Sequence, residues 1–214
     1  MMDCDYQYVQ TLVDQGLLSG RILELGCGYG GKTCEAIFSS LSGCQYYTSD
    51  IPNSPYSTDY EIDFLSDDFK VVFDDKFDVI LVLNVLEHVF DPVTFLDRAL
   101  NLLSSHGSLI LLSPVAWPIH HYPFDCVRLL PDFYREYARR RQLIIVDGTF
   151  QYVSSGILIP SKTPKNESLP RVKSSSSLIY IWSRFIHKVF MTDGRKIYTL
   201  PTPQEAIAIA LRKA

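Results

Sequence analysis

Three groups of residues have the types and spacing to do chemistry. The first is Ile22-Leu23-Glu24-Leu25-Gly26-Cys27-Gly28-Tyr29-Gly30-Gly31-Lys32-Thr33, an apolar run that breaks into a glycine-rich turn. Glycines after a buried strand let the backbone come close to a ligand, because no Cβ fills the space. Two patterns fit this stretch. Glu24-x-Gly26-x-Gly28-x-Gly30 is an acid followed by alternating glycines, whereas Gly26-x-x-x-x-Gly31-Lys32-Thr33 satisfies the phosphate loop of nucleoside-triphosphate enzymes. The second group is Asp50, which closes the short aromatic run from Gln45 and follows the glycines by about 20 residues, the spacing that brings an acid to ribose hydroxyls. The third is the aromatic, histidine-rich and charged stretch 115–130. Within it His120 and His121 are of the residue type best suited to a general base, Tyr122, Asp125 and Arg128 are suited to orienting a polar ligand, and Trp117 to walling a pocket. Arg128 matches a carboxylate or phosphate. The histidines have an equally ordinary structural reading, bonded to backbone. Glu87-His88 with His120 or His121 also offers carboxylate and imidazole ligands for a divalent metal.

The elements that must position these residues follow from the apolar pattern. Tyr6, Val9, Leu12, Val13 and Leu17 predict an amphipathic helix over 5–18, laid over the sheet edge or the ligand. Arg21 to Leu25 is a first strand, and Lys32 to Ser40 a helix whose early amides face the ligand. Gln45 to Asp50 and Tyr60 to Leu65 read as the next strands, the latter closing on Asp67-Asp68. Phe77 to Asn84 is the near-continuous apolar run of a strand buried on both faces. Asp91 is an N-cap with Pro92 at the first helical position, and Val93, Leu96, Leu100 and Leu103 form the inward stripe. After His106-Gly107, Ser108 to Pro114 is a further buried strand, so strand and helix alternate in a doubly wound, mainly parallel α/β sheet. A loop leaving the carboxyl edge of such a sheet, as 115–130 does, is where a substrate site lies.

Beyond that loop, Pro131 to Arg141 is a helix, and Leu143–Val146 and Thr149–Val153 are expected to pair around Asp147-Gly148. Residues 160–177 are polar and read as a linker or lid. Leu178 to Phe190 has a helical apolar stripe that offers a surface for a homodimer or complex, or a lid over an apolar substrate. Ile197 to Leu200 reads as a strand, and Thr202-Pro203-Gln204-Glu205 as a capping box opening a last helix. The expected organisation is one domain: a core over 1–155 with an N-terminal helix, and a C-terminal extension, 156–214, packed on it.

The glycine loop, followed by Phe77-Asp78-Val79-Ile80, Val85-Leu86-Glu87-His88-Val89, Asp91-Pro92, Leu102-Leu103, Gly107-Ser108-Leu109-Ile110 and Ser113-Pro114, resembles the class I S-adenosylmethionine-dependent methyltransferases, in their small-molecule, UbiE-like branch. The usual lysine-proline-glycine before the fifth strand is Ser105-His106-Gly107 here. The resemblance implies a Rossmann-like, seven-stranded sheet with helices on both faces, and a methyltransferase that turns S-adenosylmethionine into S-adenosylhomocysteine. It implies that Gly26, Cys27, Gly28 and Gly30 bring backbone to the cofactor. Glu24 fixes the loop and reaches the amino-acid end directly or through water. Asp50, with Ile51 beside it, takes the ribose hydroxyls. Asp67 or Asp63 takes the adenine amine, Asp67 being preferred, although Asp67 and Asp68 equally suit a solvated turn. Asn84 and Val85 lie beside the sulfonium. From residue type alone, and not from the resemblance, His121, His120 and Tyr122 are the expected catalytic set, and Trp117, Asp125 and Arg128 are expected to hold the acceptor. The Glu-His pair recurs in metal-independent relatives, where it packs at a helix start, so no metal is expected.

The phosphate-loop reading needs a carboxylate at the end of a second apolar strand to hold magnesium. The best such strand, 79–83, ends in Asn84. Glu24, Asp50 and the Asp63 to Asp68 cluster instead suit a cationic cofactor with hydroxyls and an amine. Two readings stand beside methyl transfer: a P-loop phosphotransferase, and a cofactor-binding partner module without turnover.

The 214-residue chain is long enough for a substantial core. Residues 1–127 hold 5 Lys/Arg against 18 Asp/Glu, and residues 128–214 hold 15 against 6. That asymmetry can steer an anionic partner to the C-terminal part, or it is only a solvated face. A pI near 5.7 argues against a general nucleic-acid binder, leaving a small-molecule acceptor as the expected partner. Five scattered cysteines, an odd number, suggest a reducing cytoplasm rather than a disulfide framework. The acidic N-terminus has no signal-peptide pattern, and no apolar run approaches the roughly 20 residues of a membrane span.

Overall fold

The sheet grows from runs in which nearly every residue is apolar, because helices cover both of its faces. A computed structural model of the chain describes residues 3–27, 34–66, 69, 76–117, 120, 124–154, 157–160 and 206–214. All of these belong to the unit formed by residues 1–161 and 204–214. Five strands run parallel: β1 (Gly20–Leu25), β2 (Cys44–Asp50), β3 (Tyr60–Glu61), β4 (Phe77–Leu83) and β5 (Leu103–Pro114). Four antiparallel strands extend them: β6 (Leu143–Ile145), β7 (Gln151–Ser154), β8 (Ile157–Pro160) and β9 (Ala206–Lys213). The order is β3-β2-β1-β4-β5-β9-β7-β8, with β6 also on β9. The chain reverses its direction of travel between β1 and β4, which opens a crevice at their carboxyl ends.

Helix α1 (Asp3–Asp14) and the short α2 (Glu35–Phe38) cover one face, where Tyr8, Val9, Leu12, Ile37 and Phe38 pack with Ile22, Leu81 and Ile110. Helices α3 (Pro92–Leu102) and α4 (Pro131–Arg141) cover the other, where Phe95, Leu96, Tyr134 and Tyr137 pack with Leu23, Ile80 and Leu109. The predicted cap is present: Asp91 accepts a hydrogen bond from the Thr94 amide at 3.0 Å, with Pro92 opening α3. Among the described residues no helix is long and apolar enough to cross a membrane.

The doubly wound sheet with helices on both faces is present, with nine strands among the described residues. Four local expectations are corrected. The segment after Glu205 is not a helix but strand β9, seated between β5 and the pair β6 and β7. Its sequence alternates size: Ile207, Ile209 and Leu211 pack on the α3 and α4 face, while Ala206, Ala208 and Ala210 pack on the α1 face. Strands β6 and β7 each pair with β9 and not with one another. The third strand is two residues long, because Asp63 accepts the Leu65 amide at 2.8 Å and turns the chain. Val93 is exposed, and Phe95 and Ala99 take its place in the α3 stripe. The expected helix 178–190 and strand 197–200 lie outside the described residues, as does the expected linker 160–177 except for Pro160, which ends β8.

Candidate active site

A cavity of about 860 Å³ opens at the carboxyl ends of the parallel strands. Its lining includes Glu24 in β1 with Gly26 and Cys27 after it, Asp50 at the end of β2 with Ile51 after it, Asp63 after β3, Asn84, Val85, Glu87 and His88 after β4, and Pro114 at the end of β5 with Trp117, His120 and Phe124 after it. Ile51, Phe90, Trp117 and Phe124 are exposed large apolar side chains, and all four line the cavity.

At one end, the structure holds the chain by hydrogen bonds to buried groups. Glu24 is 3% exposed, and its Oε2 accepts from the Cys34 amide at 2.9 Å and from the Tyr46 hydroxyl at 2.5 Å. One carboxylate thus ties the end of β1 to the residue before α2 and to β2. Burial raises its proton affinity above the usual carboxylate range, against the pull of those two donors. Gly26 has φ +66°, and a Cβ there would stand 2.6 Å from Val85 Cγ2, so glycine is required for the β1 and β4 loops to close on each other. The amides of Gly26 and Cys27 both donate to the Ser49 carbonyl, at 2.7 and 3.4 Å. The Cys27 thiol is buried and pushed up to about 12, first by burial and then by Glu24. Asp50 accepts from the Ile51 amide at 2.8 Å and the Ser54 hydroxyl at 2.7 Å. A carboxylate has about four lone-pair directions, so these two bonds leave Asp50 capacity for a ligand.

The middle is set by Asn84, whose φ of +55° turns the chain out of β4. Its amide donates to the Leu112 carbonyl at 2.8 Å, and its side-chain amide donates to Asp5 Oδ2 at 2.7 Å. Asp5 is buried and was missed from the sequence, although it keeps helical register with Tyr8, Val9 and Leu12 on the inward stripe of α1. Helix α1 therefore supports the cavity as well as the sheet.

At the other end the polar groups face one another. Leu86–His88 form a single 3-10 turn that buries the Glu87 side chain. Glu87 is 1% exposed, and neither carboxylate oxygen has a hydrogen-bond partner among the described residues. Burial pushes its pKa up to about 7. His88 Nε2 lies 3.8 Å from Glu87 Oε1, and its Nδ1 bonds the Phe124 carbonyl. The His88 and His120 rings meet edge to face at 4.9 Å. His120 Nδ1 lies 3.5 Å from Asp125 Oδ2.

Asp125 and Arg128 hold each other. Their side chains pair through two hydrogen bonds, one of them Nη2 to Oδ2 at 2.7 Å, and neither residue lines the cavity. The Arg128 guanidinium holds the Asp125 carboxyl well below its usual range. Asp125 also accepts the His120 amide at 2.9 Å, and Arg128 reaches the Trp117 carbonyl at 3.4 Å. Through these bonds the pair braces Trp117 and His120, which line the cavity. The other expectations fall as follows: Glu24, Gly26, Cys27, Asp50, Ile51, Asn84, Val85, Trp117 and His120 line one cavity, as does Asp63, the alternative to Asp67. Gly28, Gly30, Asp67, His121 and Tyr122 lie outside the described residues. The resemblance assigns Glu87 to packing at a helix start, and its place in the turn that follows the doubly buried β4 is the sequence signal that it lines the site.

A family model described as a methyltransferase domain matches residues 6–143, well over half of the chain. The chain belongs to the methyltransferase domain family. Solved structures share the fold of this methyltransferase domain. The CurJ carbon methyltransferase aligns with 98% of the chain at 16% identity and a TM-score of 0.56, and the chain spans 54% of its length. A putative S-adenosylmethionine dependent methyltransferase from Listeria monocytogenes aligns over 100% of both chains at 13% identity and a TM-score of 0.54. The plantazolicin methyltransferase BpumL, in complex with a triazolic desmethylPZN analog and SAH, aligns with 99% of this chain and 83% of its own at 12% identity and a TM-score of 0.52. A search of curated protein sequences gave no match.

Proposed function

We propose that this methyltransferase domain moves a methyl group from S-adenosylmethionine to an oxygen or nitrogen of a small acceptor: a polar metabolite, sugar or natural product. The observation that carries the reading is the continuity of one cavity from Gly26 and Asp50, past Asn84, to His120 and Trp117. A donor and an acceptor can lie end to end in it, the arrangement that in-line displacement needs. The SAH bound to BpumL and the description of the Listeria protein support the choice of cofactor.

In this reading Gly26 and Cys27, with Gly28 and Gly30, let the backbone approach the amino-acid end, and Glu24 holds that loop in place. Asp50 uses its remaining lone pairs on the ribose hydroxyls, with Ile51 beside it. Asp63 or Asp67 takes the adenine amine, and Asn84 and Val85 flank the sulfonium. As the acceptor atom bonds the methyl carbon, the carbon–sulfur bond breaks, sulfur keeps the electron pair, and S-adenosylhomocysteine leaves. The acceptor's proton passes to an imidazole, His120 or His121, with Tyr122 beside them. His120 is held for this by Asp125 at 3.5 Å, a carboxylate that orients the ring. The exposed aromatic rim of Phe90, Trp117 and Phe124 favours an acceptor with an apolar body around its polar reacting atom.

The test is a screen of metabolites, sugar conjugates and natural products with methyl-labelled donor. Label should appear on oxygen or nitrogen of an acceptor, and His120→Ala should lower kcat by about 100-fold with cofactor affinity unchanged. Cofactor binding without label transfer to any acceptor would favour the partner-module reading.

A further inference from the structure

We infer that Glu87, His88 and His120 form a binding site for a divalent first-row transition cation, of the zinc or manganese kind, at the acceptor end of the cavity. One donor atom from each of the three lies within 4.8 Å of the others. All three residues line the cavity, so an ion held by them keeps open positions toward a bound molecule. Two imidazoles and one carboxylate are a donor set suited to zinc, manganese or iron rather than to calcium.

Two further observations point to a ligand. The first is Glu87 itself, 1% exposed with neither oxygen hydrogen-bonded among the described residues. A carboxylate taken out of water is costly unless a cation or donor meets it, and the cluster puts two imidazoles where a shared cation would meet all three groups. The second is the support behind the rings. His88 Nδ1 bonds the Phe124 carbonyl, and His120 Nδ1 lies 3.5 Å from Asp125, itself held by Arg128. Metal-binding histidines usually have a carbonyl or carboxylate behind the non-coordinating nitrogen, which fixes the ring and the tautomer. Donors sharing one ion at about 2.1 Å stand about 3.4 Å apart across a tetrahedral angle, so loading draws this cluster together by about an ångström. His120, the most exposed of the three at 25%, is the group placed to move.

Metal binding does not depend on the methyl-transfer reading, but its use does. An acceptor oxygen on the ion has a lower proton affinity. His120 then serves as a ligand in the loaded protein and as the proton acceptor in the ion-free protein, and acceptors with neighbouring oxygens are favoured.

The experiment uses the full chain, stripped with a chelator and titrated with Zn²⁺ and with Mn²⁺ by calorimetry, with elemental analysis for stoichiometry. S-adenosylhomocysteine binding on the same preparations reports whether the cofactor end is intact. The expected result is one equivalent of metal, weakened more than about 100-fold by Glu87→Gln with cofactor binding retained. If Glu87→Gln fails to fold, His120→Asn takes its place with the same expectation. Substoichiometric uptake by the unaltered protein, or wild-type uptake by the folded variant, overturns the inference. Cofactor heat without metal uptake sinks the cation site alone, whereas metal uptake without cofactor heat sinks the methyl-donor reading alone.

Discussion

Glu24 and Glu87 are two buried carboxylates that line the same cavity and differ in what meets them. Glu24, near the end of β1, receives two hydrogen bonds that join three pieces of chain. The Glu87 carboxylate, just past β4, has no hydrogen-bond partner among the described residues. In both, burial favours the protonated form. The difference teaches that the Glu24 end of the cavity is completed by its own backbone and side chains, while the Glu87 carboxylate, with the His88 ring 3.8 Å away, has no hydrogen-bond partner among the described residues.

Breaking the Glu24 side of the comparison should have the larger effect. Glu24→Ala leaves the Cys34 amide and Tyr46 hydroxyl without their acceptor and should cost about 2–4 kcal/mol of stability, since each orphaned donor costs about 1–3 kcal/mol. Glu24→Gln retains an acceptor oxygen and should cost much less. Chemical denaturation of the three proteins measures this, and an alanine variant as stable as the parent would remove Glu24 from its bracing role.

The Glu87 side predicts the opposite sign. A pKa of about 7 in the folded chain, against an ordinary value of 4.5, means that the folded state keeps a proton the unfolded chain gives up between those pH values. Stability is therefore undiminished below pH 4.5, falls as pH rises toward 7, and stays reduced above it. In chelator-treated protein, Glu87→Gln should gain about 3 kcal/mol at pH 8 and almost nothing at pH 4. Denaturation at the two pH values checks it, and an equal effect at both would show that the carboxylate is not strained by burial.

Much of the donor end was legible in the sequence, because strand ends, glycines and a closing acid are local signals. Gly26 and Asp50 stand where the apolar runs stop, and Asp91-Pro92 announces α3 directly. The acceptor end is built from residues distant in sequence, and local pattern says little about it. Arg128 read as an acceptor ligand because an arginine shows its charge in the sequence but not its partner, Asp125. Asp5 reaches Asn84 from the other end of the chain, and only its phase on the α1 stripe betrayed it. Strand β9 was misread because every residue from Ala206 to Leu211 is apolar, which blunts helical periodicity. Its alternation of alanine with isoleucine and leucine was the surviving trace of a strand.

The central claim is that the cavity's donor end holds S-adenosylmethionine rather than a nucleoside triphosphate. Calorimetry with S-adenosylhomocysteine and, separately, with magnesium-ATP tests it most directly, using the full chain and Asp50→Ala. The predicted result is heat with S-adenosylhomocysteine alone, weakened at least tenfold by Asp50→Ala. Heat with magnesium-ATP alone would contradict it.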